Sequence, residues 1–235
     1  MVDFGTNRVY YVGITKGGND DRRDIIEKLT TARVGLLLKH PFFGNMATRM
    51  KLIEADEWCP TAATNGRDFF YNTEFVKKLS VKKVMFLLAH EICHGIFDHL
   101  GRIKDHDRDL SNIAQDYAVN QILIDDCIGE RITEVDICYD RKYKGWAWEE
   151  IYDSLVEEHG DPKENKQKML SQLGDMLDEH LEEAMAGESE SEDGKPVIAA
   201  GEMGKIRDEI KQASNHIRQV VLAILLPKLS GLSRN

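Results

Sequence analysis

Apolar positions recur every three to four residues over 21–39, at 25, 26, 29, 32, 36 and 37. That period predicts an amphipathic helix, capped by Asn19 or Asp20 and closed by Pro41. The next segment has β character. Residues 46–55 read as a strand, and 62–64 and 68–71 flank Asn65 and Gly66, a pair that marks a hairpin. Ser80 is a good N-cap for a helix from Val81, whose apolar residues at 81, 84, 85, 88, 92 and 96 share a face. A charged loop, GRIKDHDRD, leads to a second strongly apolar helix over 110–125. WAWEEIYDSLV, residues 146–156, predicts a short amphipathic helix.

Beyond Gly160 the pattern changes. Residues 164–185 predict an acidic amphipathic helix, and GESESEDGK (187–195) reads as a flexible acidic linker. Apolar or small residues at 206, 210, 213, 217, 220 and 224 then suit a helix over 203–226 that docks on the core or on another chain. At the other end, 9–14 reads as a short strand in an extension. The expected organisation is an N-terminal extension (1–19), a core domain (20–160) and a helical tail (161–235) with the linker inside it. No internal repeat is evident.

Composition narrows the classes of partner. The chain has 235 residues, 42% hydrophobic and 31% charged, with a net charge of −10. A field of that sign argues against a nucleic-acid backbone or an anionic membrane as the main partner. VVLAILL (220–226), stopped by Pro227, is too short to span a bilayer. None of the four cysteines forms a C-x-x-C pair, and no signal peptide opens the chain. Free thiols in a reducing cytoplasm are the expectation.

One stretch carries chemistry. FLLAHEICHGIFDHLG (86–101) sets His90, Glu91 and His94 inside an apolar helix, where burying them is costly without compensation. Two imidazoles four apart lie about 40° from one another around the axis, so both face one ion. In this H-E-x-x-H pattern the carboxylate between them is placed to act as general base. Buried histidines held by hydrogen bonds, with no metal, are the competing account.

A third ligand is needed. If the helix runs on to Leu100, His99 lies about 180° around the axis from His90 and faces away. Only a break near Gly95 would bring it to the ion, so His99 is expected to pack or hydrogen-bond at the helix end, while His106 reads as solvated. In the second helix Asn112, Asp116 and Asn120 recur every four residues within apolar surroundings. A buried carboxylate needs a cation or a partner, so Asp116 is the expected third ligand, with Asn120 and Asn112 able to orient the imidazoles. The alternative is an interhelical hydrogen-bond stripe. Tyr117, Tyr139 and Tyr143 are candidate donors to an oxyanion, each equally readable as a buried structural tyrosine.

TTARVGLLLKHPFFG, TAATNGRDFFYN, LSVKKVMFLLAHEICHGIFDHLGR, LSNIAQDYAVNQILID and WAWEEIYDSL come in the order found in a metallopeptidase family. The longer members of that family carry a C-terminal von Willebrand factor A-like domain, for which this chain leaves no room. The resemblance covers most of residues 30–156. It implies an α+β, mainly helical, zincin-like core with a small twisted sheet over the active-site helix. His90, Glu91 and His94 match its zinc-and-base motif. The TAATNGRDFFYN hairpin is the candidate for the edge that binds extended substrate in such folds, with an ordinary sheet strand as the equal alternative. The expected function is a peptidase with one catalytic Zn²⁺ on His90, His94 and Asp116, Glu91 as base, and a protein or peptide substrate. The alternative is a catalytically silent scaffold that binds or regulates a partner, or self-associates, through the 203–226 helix. A tail that covers the cleft is a further option.

Overall fold

In the computed structural model of the protein, every residue from Val84 to His94 is buried, which makes one helix the axis of the fold. The structure describes residues 18–103, 105–160, 162, 204–206, 208–216 and 219. Along the chain these form α1 (Gly18–Lys39), α2 (Pro41–Arg49), β1 (Lys51–Glu54), β2 (Ala62–Thr64), β3 (Asp68–Tyr71), α3 (Thr73–Lys78), α4 (Val81–Ile96), α5 (His99–Arg102), α6 (Arg108–Asp125), a 3₁₀ turn at Arg141–Tyr143, and α7 (Trp148–His159). Residues 204–206 and 208–216 are also helical. The fold is α+β and mainly helical, as the pattern predicts. The expected strand at 9–14, the helix at 164–185 and the linker at 187–195 lie outside the described residues.

A helix buried on all sides must be wrapped. α4 is wrapped by α1, α2, α5, α6 and β2. It starts where expected, with Ser80 Oγ accepting the Lys83 N–H at 3.2 Å. Its apolar residues join those of α1, α2, α3 and the sheet in the main core.

Two expectations fail between α1 and the sheet. Pro41 does not merely close α1; it opens α2, whose first turn has no use for the missing N–H. Residues 46–49 are therefore helical, and the strand expected over 46–55 shrinks to β1. The reason is packing. Gly44 lets α2 cross α1 so closely that a Cβ there would lie 2.2 Å from the Leu37 backbone. Met46, Ala47 and Met50 then enter the core.

The sheet has the order β1-β3-β2, with β1 parallel and β2 antiparallel to β3. The hairpin forms where Asn65–Gly66 marks it, but residues 65–68 separate the paired Thr64 and Phe69, a longer connection than a two-residue turn. Asn65 Oδ1 closes it by accepting the N–H groups of Arg67 and Asp68, at 2.9 and 2.7 Å. Gly66 takes φ +85 there, a conformation that costs glycine little. Both faces of the sheet are covered. Ala62, Phe69 and Tyr71 face the main core, while Ala63 and Phe70 pack with Ala55, Cys59 and Ile206 of the tail. A strand buried on both faces reads as a continuous apolar run, and β3 reads DFFY.

A further cluster joins α6 to α7 through Leu110, Ile113, Trp148, Ile151 and Leu155. Val119 and Leu123, farther along α6, belong to the main core. α6 therefore spans two apolar clusters, and Asp116 sits where it passes from one to the other. None of the four cysteines is in a disulfide, as expected. Burial pushes the Cys93 thiol up, which keeps it inert.

Candidate metal centre

α4 and α6 bring three donor atoms to one point. His90 Nε2 and His94 Nε2 lie 3.1 Å apart, and each lies 3.4 Å from Asp116 Oδ1. Bonds of about 2.0–2.1 Å in a tetrahedral shell separate ligand atoms by roughly 3.3 Å, so the triangle has the size of one face of such a shell. The three side chains are at most 1% exposed. Two neutral nitrogens and one carboxylate oxygen are a donor set that suits divalent transition ions. On geometry and chemistry alike, the residues present fit a metal.

Both imidazoles are braced from behind. His90 Nδ1 lies 3.0 Å from Asn120 Oδ1, and Asn120 Nδ2 donates to the Cys138 carbonyl at 3.0 Å. His94 Nδ1 lies 3.0 Å from His99 Nδ1. A ring that binds a cation through Nε2 carries its proton on Nδ1. In that state His90 donates to Asn120 and His94 donates to His99.

His99 corrects the expected geometry. α4 does not continue to Leu100; it ends at Ile96, and Asp98 takes φ 54 and ψ 41. Aspartate tolerates that left-handed conformation better than most residues. The chain turns back and carries His99 onto His94 instead of away from it. The ring is 2% exposed and contacts His94 without joining the donor triangle. Its role is the hydrogen-bonding one anticipated, reached by an unanticipated path. Gln115 Nε2 donates to the His99 carbonyl at 3.4 Å and ties the turn to α6.

The other candidates separate clearly. Asn120 bonds His90 as expected of it, whereas Asn112, two turns earlier, bonds neither imidazole among the described residues. His106 is half-buried rather than solvated, with its ring edge-on to Tyr152 at 4.5 Å and to Trp148 at 5.4 Å. Tyr143 is buried in the α6–α7 cluster, against Tyr117 at 5.1 Å. Tyr139 lies under the Arg131 guanidinium at 4.8 Å. Burial pushes the Tyr117 hydroxyl up to about 12. None of the three tyrosines lines the cavity beside Glu91.

That cavity, of about 490 Å³, was not foreseen from the sequence. Glu91 forms part of its lining, together with α2, the hairpin tip, α4 and the tail helix. Gly95 faces this convergence. A Cβ there would make an ordinary contact with Gly66 Cα at 3.7 Å and a tight one with Ile210 Cδ1 at 3.2 Å. The sequence signal was present as a small residue directly after the second histidine, but nothing local says what it approaches.

A family model described as "Putative metallopeptidase domain" matches residues 25–224, from the second turn of α1 through the tail helix. Neither a curated protein nor a solved structure matches the chain. No described helix is long and apolar enough to cross a membrane.

Proposed function

The chain belongs to this metallopeptidase-domain family, and we propose that it is a zinc-dependent peptidase acting on protein or peptide substrates. One observation carries the reading: a buried triangle of two imidazole nitrogens and a carboxylate oxygen, of ligand-shell size, beside a glutamate that lines a cavity.

His90, His94 and Asp116 would hold the ion. When bound, it supplies the Lewis acidity that activates a water and polarises the scissile carbonyl. Glu91 accepts the proton of the attacking water and returns it to the leaving amine. Asn120 and His99 hold the two imidazoles in the tautomer that ligation requires. β2 is an edge strand packed against α4, but its three residues are at most 1% exposed, so the edge expected to pair with extended substrate is covered here.

The test pairs metal analysis with cleavage. The purified protein is expected to hold one zinc per chain, retained by Glu91→Gln and lost by His94→Ala. Peptide cleavage is expected to vanish in Glu91→Gln. Wild type without stoichiometric metal overturns the reading. Metal retained in His94→Ala does so too. Stoichiometric metal with no cleavage points instead to a silent scaffold.

A further inference from the structure

The tail helix crosses the hairpin tip and lines the cavity that also includes Glu91. Ile206 is 3% exposed and packs with Ala63 and Phe70 on the outer face of the sheet. Ile210, one turn on, sits over the hairpin tip, where a Cβ on Gly66 would lie 2.9 Å from its Cδ1. Arg67 of the tip donates to Glu209 Oε2 at 2.9 Å and fixes the crossing. Ala213 continues the same face and packs against the main core. The 206, 210, 213 spacing is thus spent on one surface of this chain.

The lining of the cavity beside that helix is mixed. Met46, Met50, Ile92, Ile210 and Ala213 supply an apolar part, and Arg49, Gln212 and His216 are among its polar members. Arg67 and Glu209, also in the lining, are engaged with one another. Glu91 is also one of the lining residues. At about 490 Å³ the cavity is within the range of sites that hold small ligands, and it exceeds what one methyl or hydroxyl would fill.

We propose that this cavity is the substrate side-chain pocket, that it takes a large apolar residue next to the scissile bond, and that the tail helix is its outer wall, with Ala213 and Ile210 setting the size accepted. The proposal rests on the peptidase reading for its substrate. Burying one leucine or phenylalanine side chain is worth about ten- to hundredfold in affinity, which is the preference expected over glycine or aspartate.

The test reads binding without turnover. In full-length wild type with ¹³C-labelled methionine methyls, N-acetyl-leucinamide and N-acetyl-phenylalaninamide are expected to shift the Met46 and Met50 resonances. The aspartate and lysine analogues are expected to leave them in place. Ala213→Trp should weaken the phenylalanine compound at least tenfold, and Ile210→Ala should relax the size preference while the protein stays folded. No shift with either apolar compound overturns the proposal. Unchanged binding in both variants overturns the wall. If Glu209→Arg, which breaks the contact to Arg67, tightens binding instead of weakening it, the helix is a cover and not a wall. A pocket that binds these compounds in a protein that cleaves nothing would sink the peptidase reading and leave the pocket standing.

Discussion

The two imidazoles of the centre are oriented by opposite strategies. His90 is held across the fold: its partner, Asn120, lies 30 residues on, in another helix, and is itself held by the Cys138 carbonyl. His94 is held locally: its partner, His99, is five residues on and arrives by a single left-handed residue. A bond spanning two helices constrains tertiary packing as well as a ring. A bond made within one turn of chain constrains little beyond that ring. Ring orientation and fold stability are therefore expected to be more tightly coupled at His90 than at His94, whose turn meets α6 through the 3.4 Å bond from Gln115.

The largest expected effect comes from breaking the long-range brace. Asn120→Ala removes the acceptor for His90 and leaves the Cys138 carbonyl without its donor. Metal affinity should fall about 10- to 100-fold. The metal-free protein should also lose about 1–3 kcal/mol, because buried polar groups are left unsatisfied. Competition with a chelator and urea unfolding measure the two. Loss of affinity with unchanged stability would contradict the coupling.

His99→Ala should show the other half of the contrast. Affinity again falls about tenfold or more, yet the metal-free midpoint in urea should move less than in Asn120→Ala. His99→Gln, which keeps an acceptor within reach, should recover part of the affinity. Equal stability losses at 99 and 120 would erase the distinction. The smallest effect tests the turn itself. Asp98→Val places a β-branched side chain at positive φ and should cost about 1–2 kcal/mol with a secondary loss of affinity. Asp98→Gly should lie within about 1 kcal/mol of wild type, and a large loss there would show that the aspartate does more than turn the chain.

What was legible in the sequence follows the same local and non-local divide. α4 and α6 could be read because caps, apolar period and polar exceptions all sit within one segment. Ser80 predicts its own cap, and Asp116 and Asn120 declare themselves as polar residues in apolar company. α2 could not be read in that way, since its helical state depends on Gly44 meeting Leu37 of another helix, and the segment alone carries β-prone residues. The place of His99 depends on where α4 ends, and that end is set by one backbone conformation, at Asp98, which periodicity does not reveal. The cavity was the least legible, because it exists only where α2, the hairpin tip, α4 and the tail meet. The apolar stripe of the tail was visible at 206, 210 and 213, but the surface receiving it was not.

The path of α6 through both apolar clusters has a consequence for how the chain is held together. His94 and Asp116 lie on either side of an intervening stretch that includes α5 and the turn before it. An ion shared by them would act as a cross-link, closing a loop of 22 residues (116 − 94) and stitching the α4 side of the molecule to the α6–α7 side. Closing a loop of that size withdraws conformational freedom from the unfolded chain, an effect on the order of 3 kcal/mol for a disulfide. With none of the four cysteines in a disulfide, coordination would serve this protein as its staple, and one whose strength varies with the supply of metal.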